Sequence, residues 1–337
     1  MVGVSLIGCG MRGMGLGDLL KKSSKFRLIS VCDVMEDRVK AASERFGVPG
    51  DTDHKRMLQR PDVQAVVVAT SAPWHAAVTL DIVAAGKHVY VEKPLADKVT
   101  AARQMAAAAE AAGVVAVVGY QNRFGPLSVT LAPELPSIEP VQGVLIRQRG
   151  PLNPQFFYPD HIGGIVDTAT HTLDMALWTM GGSPEGVMGY VRRGTIQNDR
   201  TIDYMELIVD FDGRTRSATV ISSQMGVAAA SLYEFVGRRG TIWSLNDRSI
   251  HVARHDGVQG PGAKNPPGLQ QREVECTGGG EGTVACMEYF ADRIEGVSLP
   301  AWPRAATFRE GVNALALSAG MVQSMEEGRR VPLSEVQ

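Results

Sequence analysis

Residues 2–13 read VGVSLIGCGMRG, and this stretch decides the fold of the first part of the chain. A short aliphatic run ends at Gly8, and the pattern G-x-G-x-x-G at Gly8, Gly10 and Gly13 opens the first predicted helix. One match to this pattern is weak evidence by itself. Its position, after a strand and before a helix, is the context that dinucleotide binding requires. The stretch therefore predicts a strand–turn–helix unit that holds the phosphates of a dinucleotide.

Each motif glycine has its own expected role. Gly8 permits the tight turn, Gly10 lets the backbone approach a pyrophosphate, and Gly13 lets the helix pack closely on the strand. Met11 and Arg12 lie between them, at a helix N-terminus whose free N–H groups and positive dipole end favour phosphate. A glycine-rich structural turn is the alternative interpretation.

An acidic residue stands where the second predicted strand ends. Asp33 follows Gly13 by 20 residues, which is the expected place for a carboxylate that binds the ribose hydroxyls of adenosine. Its charge, with those of Glu36 and Asp37, opposes the 2′-phosphate of NADP, so NAD is the predicted cofactor. Arg12 could still reach a phosphate and keeps NADP open as the less favoured cofactor.

The first 120 residues alternate short β-branched runs with longer helical patterns. This alternation predicts a doubly wound parallel sheet with crossover helices, and the scarcely alternating runs are typical of strands covered on both faces. We therefore expect a Rossmann domain over residues 1–120. Its helices are predicted at 12–22, 35–46, 74–85 and 97–112.

After about residue 120, strand patterns follow one another with turn residues between them. This succession predicts an α+β domain over residues 121–337, with a large, mostly antiparallel, open-faced sheet. Substrate binding and oligomerisation are the roles expected of this domain. Further helices are predicted at 163–178, 283–295 and 305–327. An apolar sheet face without helices seeks a partner, so a homodimer or homotetramer is expected.

Bulk composition argues against several classes of protein. The 337 residues are 44% hydrophobic and 21% charged, which is typical of a soluble globular chain, and the net charge of −2 offers no footprint for nucleic acid or an acidic membrane. No apolar run approaches the roughly 18 residues of a spanning helix. The first residues lack the basic leader of a signal peptide. The four cysteines contain no Cys-x-x-Cys pair, and a cytoplasmic location is expected.

One histidine pair invites a metal-site interpretation. His251 and His255 have i, i+4 spacing, but SIHVARH reads as a strand, in which the two rings would lie too far apart to share a metal. No metal site is predicted.

The segment ATSAPWHAA at residues 69–77 follows another predicted strand and opens another predicted helix. Thr70, Ser71 and Pro73 are expected to form a turn at the carboxyl edge of the sheet, where ligands of such sheets bind. For His75, a cofactor contact and simple packing at the helix N-terminus are both possible roles.

Two polar groups further along the chain remain ambiguous from the residues alone. The strand HVYV ends at Glu92, Lys93 and Pro94, and in isolation this sequence is typical of an exposed strand end. Asp167 and His171 lie four residues apart, so they share one face of the helix predicted at 163–178. A structural charge network is the alternative to a catalytic role.

Taken in this order, the motifs resemble the Gfo/Idh/MocA family of glucose–fructose oxidoreductases and inositol dehydrogenases. The quoted motifs are the glycine loop, Asp33, Glu92-Lys93-Pro94, GYQNRF at 119–124, and Gly163-Gly164-x-x-Asp167-x-x-x-His171-x-x-Asp174. The resemblance implies that Lys93, Asp167 and His171 surround the reacting carbon, and that the Lys93–Pro94 bond is cis.

The resemblance also implies a reaction: hydride transfer between a nicotinamide and a carbinol or ketone carbon of a sugar, cyclitol or sugar derivative. His171 is suited to accept the hydroxyl proton. Lys93 is suited to stabilise the developing alkoxide. Asp167 is expected to orient the imidazole and to bind a neighbouring hydroxyl, and Glu92 to position the cofactor or Lys93.

Further site residues follow from the same resemblance. Gln121 completes the expected cofactor contacts, and the expected substrate contacts besides Lys93, Asp167 and His171 are Tyr120, Asn122, Arg123, Tyr158 and His161. Two other functions stay open: a glycosidase that retains NAD and acts by transient oxidation, and a non-catalytic nucleotide-sensing regulator. Regulators of this kind tend to lose the lysine and histidine that this chain keeps.

Overall fold

The computed structural model describes residues 1–150, 164–193, 202–223, 228–255, 268–279 and 281–337. The chain divides into two compact units. Unit 1 comprises Met1–Phe124 and Gly280–Leu315, and unit 2 comprises Gly125–Gly279 and Ala316–Gln337. The domain boundary that the sequence places after residue 120 stays a prediction.

Strands and helices are numbered along the described chain. The strands are β1 (Val2–Ile7), β2 (Phe26–Cys32), β3 (Gly50–Asp51), β4 (Ala65–Val68), β5 (His88–Val91), β6 (Ala116–Val118), β7 (Val141–Arg149), β8 (Pro184–Arg193), β9 (Ile202–Phe211), β10 (Arg216–Ser223), β11 (Ala230–Gly237), β12 (Gly240–Leu245), β13 (Ser249–His255), β14 (Leu269–Glu275), β15 (Ala306–Thr307) and β16 (Val331–Pro332). The α-helices are α1 (Met11–Lys22), α2 (Glu36–Phe46), α3 (His54–Leu58), α4 (Ala72–Ala84), α5 (Val99–Ala112), α6 (Pro126–Leu131), α7 (Gly164–Met180), α8 (Gly282–Ile294) and α9 (Phe308–Glu327).

The sheet of unit 1 has seven strands in the order β15-β6-β5-β4-β1-β2-β3. All neighbours are parallel except β15, which runs antiparallel to β6. Ile7 pairs with both Cys32 and Val68, so the carboxyl ends of β1, β2 and β4 lie side by side. The strand order reverses at β1, which makes this edge the switch point of a doubly wound sheet.

Burial explains why these short runs form parallel strands. Every residue of β1 and of β4 is buried, as expected where helices cover both faces of a sheet. Leu16 and Leu20 of α1 and Phe290 of α8 belong to the same buried cluster as Val4 of β1. The four helices predicted in this part are confirmed as α1, α2, α4 and α5, with ends within two residues of those expected.

Unit 2 contains a nine-stranded sheet in the order β14-β13-β12-β11-β7-β10-β9-β8-β16. Its neighbours are antiparallel except for the parallel pair β7 and β10. The predicted mostly antiparallel sheet is confirmed. Helix α7 packs on β7, β9 and β10, and Ile146, Leu207 and Val220 of these strands are fully buried.

The alternate side chains of the same sheet are half-buried or exposed. Met188 pairs with Ile208 across β8 and β9, and their exposed fractions are 47% and 45%. Tyr190 and Leu245 are also exposed. The sheet is therefore open-faced, as the sequence predicted. None of the described helices has the length and apolar composition needed to cross a bilayer.

Replacing Gly13 by alanine is expected to destabilise unit 1. An added Cβ at Gly13 would lie 1.8 Å from the carbonyl oxygen of Gly8, so the helix or the turn must shift. Overpacking of this kind costs about 1–3 kcal/mol. Thermal melting of Gly13→Ala should show a lowered Tm.

Gly15→Ala in the same helix is the matched control. An added Cβ there meets no described atom within 4 Å, and alanine favours the helix interior over glycine by about 1 kcal/mol. The Tm of Gly15→Ala should equal or exceed that of the wild type. Equal Tm values for the two variants would contradict the close approach at Gly13.

Candidate active site

The turn after β1 has a geometry that glycine alone meets well. Gly8 has φ +96°, and an added Cβ would lie 2.6 Å from the carbonyl carbon of Ala69. Gly10 caps α1 with extended backbone and without a side-chain hydrogen bond, and its added Cβ meets no described atom within 4 Å. The first N–H groups of α1 are therefore open to a ligand from this side.

The Asp33 carboxylate is fixed beside this turn. Only 7% of Asp33 is exposed, and its Oδ2 accepts a hydrogen bond from the Cys9 N–H at 2.7 Å. Its Oδ1 accepts from the Met35 N–H at 3.0 Å. Two carboxylate oxygens offer about four acceptor sites, so capacity remains for hydroxyl groups. Arg38 Nη1 lies 3.9 Å from Oδ2.

Exposed apolar side chains flank the turn and the carboxylate. Met11 is 75% exposed, Val34 84% and Met35 50%. Apolar side chains beside a few fixed polar groups are typical of small-molecule sites. Together, the open turn, the free helix N-terminus, the fixed carboxylate and this apolar surface fit the diphosphate, ribose and adenine of a dinucleotide.

Arg12 contacts Glu92, which the sequence did not reveal. Arg12 Nε and Nη2 lie 2.9 Å and 2.7 Å from Glu92 Oε1, and Glu92 is only 4% exposed. Burial disfavours the charged form, but the carboxylate outweighs burial and raises the pKa of Arg12. The ion pair joins the glycine turn to the end of β5. Arg12 is the residue through which the sequence left NADP binding possible, and Glu92 occupies it.

Lys93 stands at the turn that follows β5. It is half-buried, its N–H donates to Glu92 Oε2 at 3.3 Å, and the Lys93–Pro94 bond is cis, as the resemblance implied. Thr70 and Ser71 form the corresponding turn after β4. The predicted glycine turn, carboxylate and strand-end residues of unit 1 therefore share the carboxyl edge of one sheet.

His75 connects two of these turns. The ring is 1% exposed, with Nδ1 2.9 Å from the Pro94 carbonyl oxygen and Nε2 3.0 Å from that of Thr70. Burial lowers the pKa of His75, although both carbonyl contacts oppose that shift. This supports the packing interpretation, and its cofactor contact stays a prediction. Pro73 lies in the first turn of α4.

The segment GYQNRF forms a 3-10 turn after β6, over Gln121–Phe124. Gln121 Oε1 is a buried oxygen without a hydrogen-bond partner among the described residues, which suits a predicted ligand contact. Asn122 is exposed, and Tyr120 is fully buried.

Arg123 lies in the core of unit 1. It is 1% exposed, its Nη2 lies 2.9 Å from Glu310 Oε1, and its guanidinium carbon is 5.9 Å from the centroid of the Trp302 ring. The ion pair with Glu310 satisfies one end of the guanidinium. A substrate contact by Arg123 stays a prediction that its burial does not favour.

The other predicted catalytic residues belong to α7 in unit 2. His171 is half-buried, and Asp174 is 2% exposed. The backbone of residue 167 lies in α7. The Asp167 side chain, and all of Tyr158 and His161, lie outside the described residues.

A polar network beside His171 was missed by the sequence reasoning. The Thr172 hydroxyl donates to Gln148 Oε1, and Gln148 Nε2 donates to the Tyr233 hydroxyl at 2.7 Å. β7 and β11 are paired neighbours in the sheet, and no local pattern in the sequence predicts that pairing.

Two protein-family models match this chain. A model described as an oxidoreductase family with an NAD-binding Rossmann fold matches residues 2–120. A second model of the same family, described as its C-terminal alpha/beta domain, matches residues 149–333. The chain belongs to the Gfo/Idh/MocA oxidoreductase family. The predicted family is confirmed.

Several known proteins are similar to this chain over nearly its whole length. The myo-inositol 2-dehydrogenase of Thermotoga maritima is 26% identical and is aligned over 99% of each chain. The structure of an Agrobacterium radiobacter oxidoreductase in complex with NAD+, L-tartaric acid and magnesium has a TM-score of 0.82 at 18% identity, covering 99% of this chain and 98% of that one. The UDP-N-acetylglucosamine 3-dehydrogenase of Acidithiobacillus ferrooxidans has a TM-score of 0.80 at 18% identity, covering 97% and 99%.

Proposed function

We propose that this Gfo/Idh/MocA protein is an NAD-dependent dehydrogenase, or a reductase in the reverse direction, that acts on a carbinol carbon of a sugar, cyclitol or sugar derivative. One observation carries the proposal: the open glycine turn, the fixed Asp33 carboxylate and Lys93 share the carboxyl edge of one sheet. The inositol and amino-sugar substrates in the names of its relatives support the substrate class.

The residues that would hold NAD are those of the carboxyl edge. The open N-terminus of α1 binds the diphosphate, and the remaining acceptor sites of Asp33 bind the adenosine ribose hydroxyls. Gln121 Oε1 supplies a buried acceptor. When bound, the cofactor would supply the acceptor for the hydride that leaves the carbinol carbon. The further proposed cofactor contacts are Met11, Arg12, Thr70, Ser71, Pro73, His75, Glu92 and Lys93.

The proposed chemistry uses three side chains. His171 takes the hydroxyl proton as general base. The Lys93 ammonium stabilises the developing alkoxide. The Glu92 carboxylate accepts a hydrogen bond from the main-chain N–H of Lys93 and so holds the turn that carries the lysine. Asp167 orients the imidazole. Further substrate contacts are proposed for Tyr120, Asn122, Arg123, Tyr158 and His161.

A screen of sugars and cyclitols with NAD, followed through the absorbance of the reduced cofactor, tests this function. Net formation of reduced cofactor with a simple polyol is the expected result. Cleavage of glycosides without net reduction would instead identify an enzyme that retains NAD, and the absence of any turnover over the whole screen would contradict the proposal.

Lys93→Met and His171→Asn are expected to act on turnover and not on folding. Each should lower kcat about 10²- to 10⁴-fold, the usual range for losing a base or an oxyanion stabiliser. Turnover of the best polyol, the dissociation constant for NAD and the Tm are measured on each variant. His171→Asn should bind NAD as the wild type does.

Lys98→Met is the matched control for Lys93, since Lys98 is an exposed residue just before α5. It should keep wild-type turnover. If His171→Asn is folded and retains at least a third of wild-type turnover, the histidine is structural and the catalytic assignment is wrong.

NAD is expected to bind at least tenfold more tightly than NADP. Asp33 presents a buried negative charge, and Arg12 is engaged by Glu92. Calorimetry of both cofactors measures the preference. Asp33→Asn should weaken NAD binding about 10- to 100-fold, the range for a hydrogen bond to a charged group, whereas the exposed control Asp37→Asn should stay within threefold. Equal or tighter binding of NADP would contradict the preference and implicate Arg38.

We also propose that the open sheet face of unit 2 mediates a homodimer or homotetramer. Met188, its cross-strand partner Ile208 and Tyr190 are large apolar side chains exposed on this face, and adjacent exposed apolar side chains are typical of an interaction surface. Light scattering at micromolar concentration should give a multiple of the monomer mass that Ile208→Glu reduces. Val297→Glu, at a similarly exposed residue of unit 1, should leave the mass unchanged. A monomeric wild type would contradict the proposal.

A further inference from the structure

A second cleft lies within unit 1, with a volume of about 520 Å³. The end of α5, the beginning of β6, helix α8 and the beginning of α9 line it. Ligand sites in proteins typically have volumes of about 300–1,000 Å³. The cleft is therefore large enough for a small organic molecule.

This cleft is separate from the dinucleotide edge. Residues 113–115 line it and connect α5 to β6, so they lie at the amino end of a parallel strand. The glycine turn, Asp33 and Lys93 lie at the carboxyl ends of the strands. A ligand in the cleft would leave the predicted cofactor contacts uncovered.

The charged side chains that line the cleft are mostly cationic. Arg293, Arg304 and Arg309 face a single lining carboxylate, Glu110. Arg309 donates two hydrogen bonds to Glu110, at 3.0 Å and 2.7 Å. Arg304 donates two to Glu310, at 2.7 Å and 2.8 Å.

Donor capacity remains on all three guanidinium groups. A guanidinium carries five N–H donors, so Arg304 and Arg309 each retain N–H groups beyond their two bonds to carboxylate. Arg293 is exposed and has no carboxylate within ion-pair distance among the residues that the structure describes. The cleft therefore has an excess of unused cationic donors.

The floor of the cleft is apolar. Ala109, Val117, Ala305 and Phe308 line it and are each no more than 5% exposed, and the half-buried Tyr289 adds an aromatic ring. An apolar floor below a cationic rim suits a ligand that carries its charge at one end.

We propose that this cleft binds a phosphate monoester with an apolar or aromatic body. The planar fork of arginine matches phosphate oxygens in bidentate geometry, and a phosphate monoester carries about −1.5 to −2 charge at pH 7. A phosphate also has three strong acceptor oxygens, so it can accept from Arg293 and from the remaining N–H groups of Arg304 and Arg309 together, whereas a carboxylate has two oxygens. The body of the ligand covers the apolar floor, and the phosphate contacts Arg293 together with the free N–H groups of its neighbours.

Phenyl phosphate is the probe, titrated calorimetrically into the full chain at low salt. The expected dissociation constant is millimolar or tighter, with benzoate and inorganic phosphate each at least tenfold weaker. Arg293→Ala should weaken phenyl phosphate at least tenfold, because it removes the uncommitted guanidinium. Arg27→Ala, an exposed arginine on β2, is the control and should stay within twofold.

The same titration with saturating NAD locates the probe. Unchanged affinity in the presence of NAD supports the cleft, whereas displacement by NAD would place phenyl phosphate in the dinucleotide site and overturn the proposal. Unchanged binding by Arg293→Ala, or no measurable binding by the wild type, would overturn it as well. Benzoate binding as tight as phenyl phosphate would contradict the assignment to phosphate.

Discussion

The close approach of α1 to the end of β1 is the constraint on which the nucleotide edge depends. At Gly13 the helix passes so near the Gly8 carbonyl that a side chain has no room. This contact fixes where α1 begins, and it directs the open N-terminus of the helix toward the carboxyl ends of the strands. The Cys9 N–H then reaches Asp33, and Arg12, in the first turn, reaches Glu92.

Ion pairs between distant segments hold the rest of unit 1 around that edge. The Arg12–Glu92 pair links the glycine turn to the turn that carries Lys93. Glu310 bonds both Arg123 and Arg304. Burial opposes ionisation of Glu310, but the two arginines outweigh it and lower its pKa to about 2. Removing one partner of such a buried ion pair strongly destabilises the fold, because the other charge is left buried and unpaired.

Local sequence patterns predicted the elements well, and long-range pairings poorly. The β-α alternation and the motif at Gly8 are local patterns in the sequence, so α1, α2, α4 and α5 were predicted correctly. The membership of α8 in unit 1, the parallel pairing of β7 with β10 and the two-residue strands were not predicted. Each depends on which distant segments meet, and one sequence carries no periodic signal for that.

The same distinction holds for the candidate site. The sequence predicted a role for Asp33 from its place at the end of the second strand, and the role of Lys93 came from the resemblance. The structure brings both residues to one edge because the carboxyl ends of parallel strands lie side by side. It did not identify the partner of Arg12, because 80 residues separate it from Glu92. The place of Arg123 in the GYQNRF segment suggested a substrate contact, although the side chain is buried against Glu310. The place of a residue in a motif does not distinguish a ligand contact from a core ion pair.

Hydrogen exchange of the full chain with and without NAD tests whether the carboxyl edge of the seven-stranded sheet is the dinucleotide site. Slower exchange is expected at residues 8–14 and 33–36 when NAD is bound. Residues 113–117, at the opposite edge, should exchange at an unchanged rate. Protection confined to residues outside the carboxyl edge, or no change at saturating NAD, would contradict the assignment of this edge.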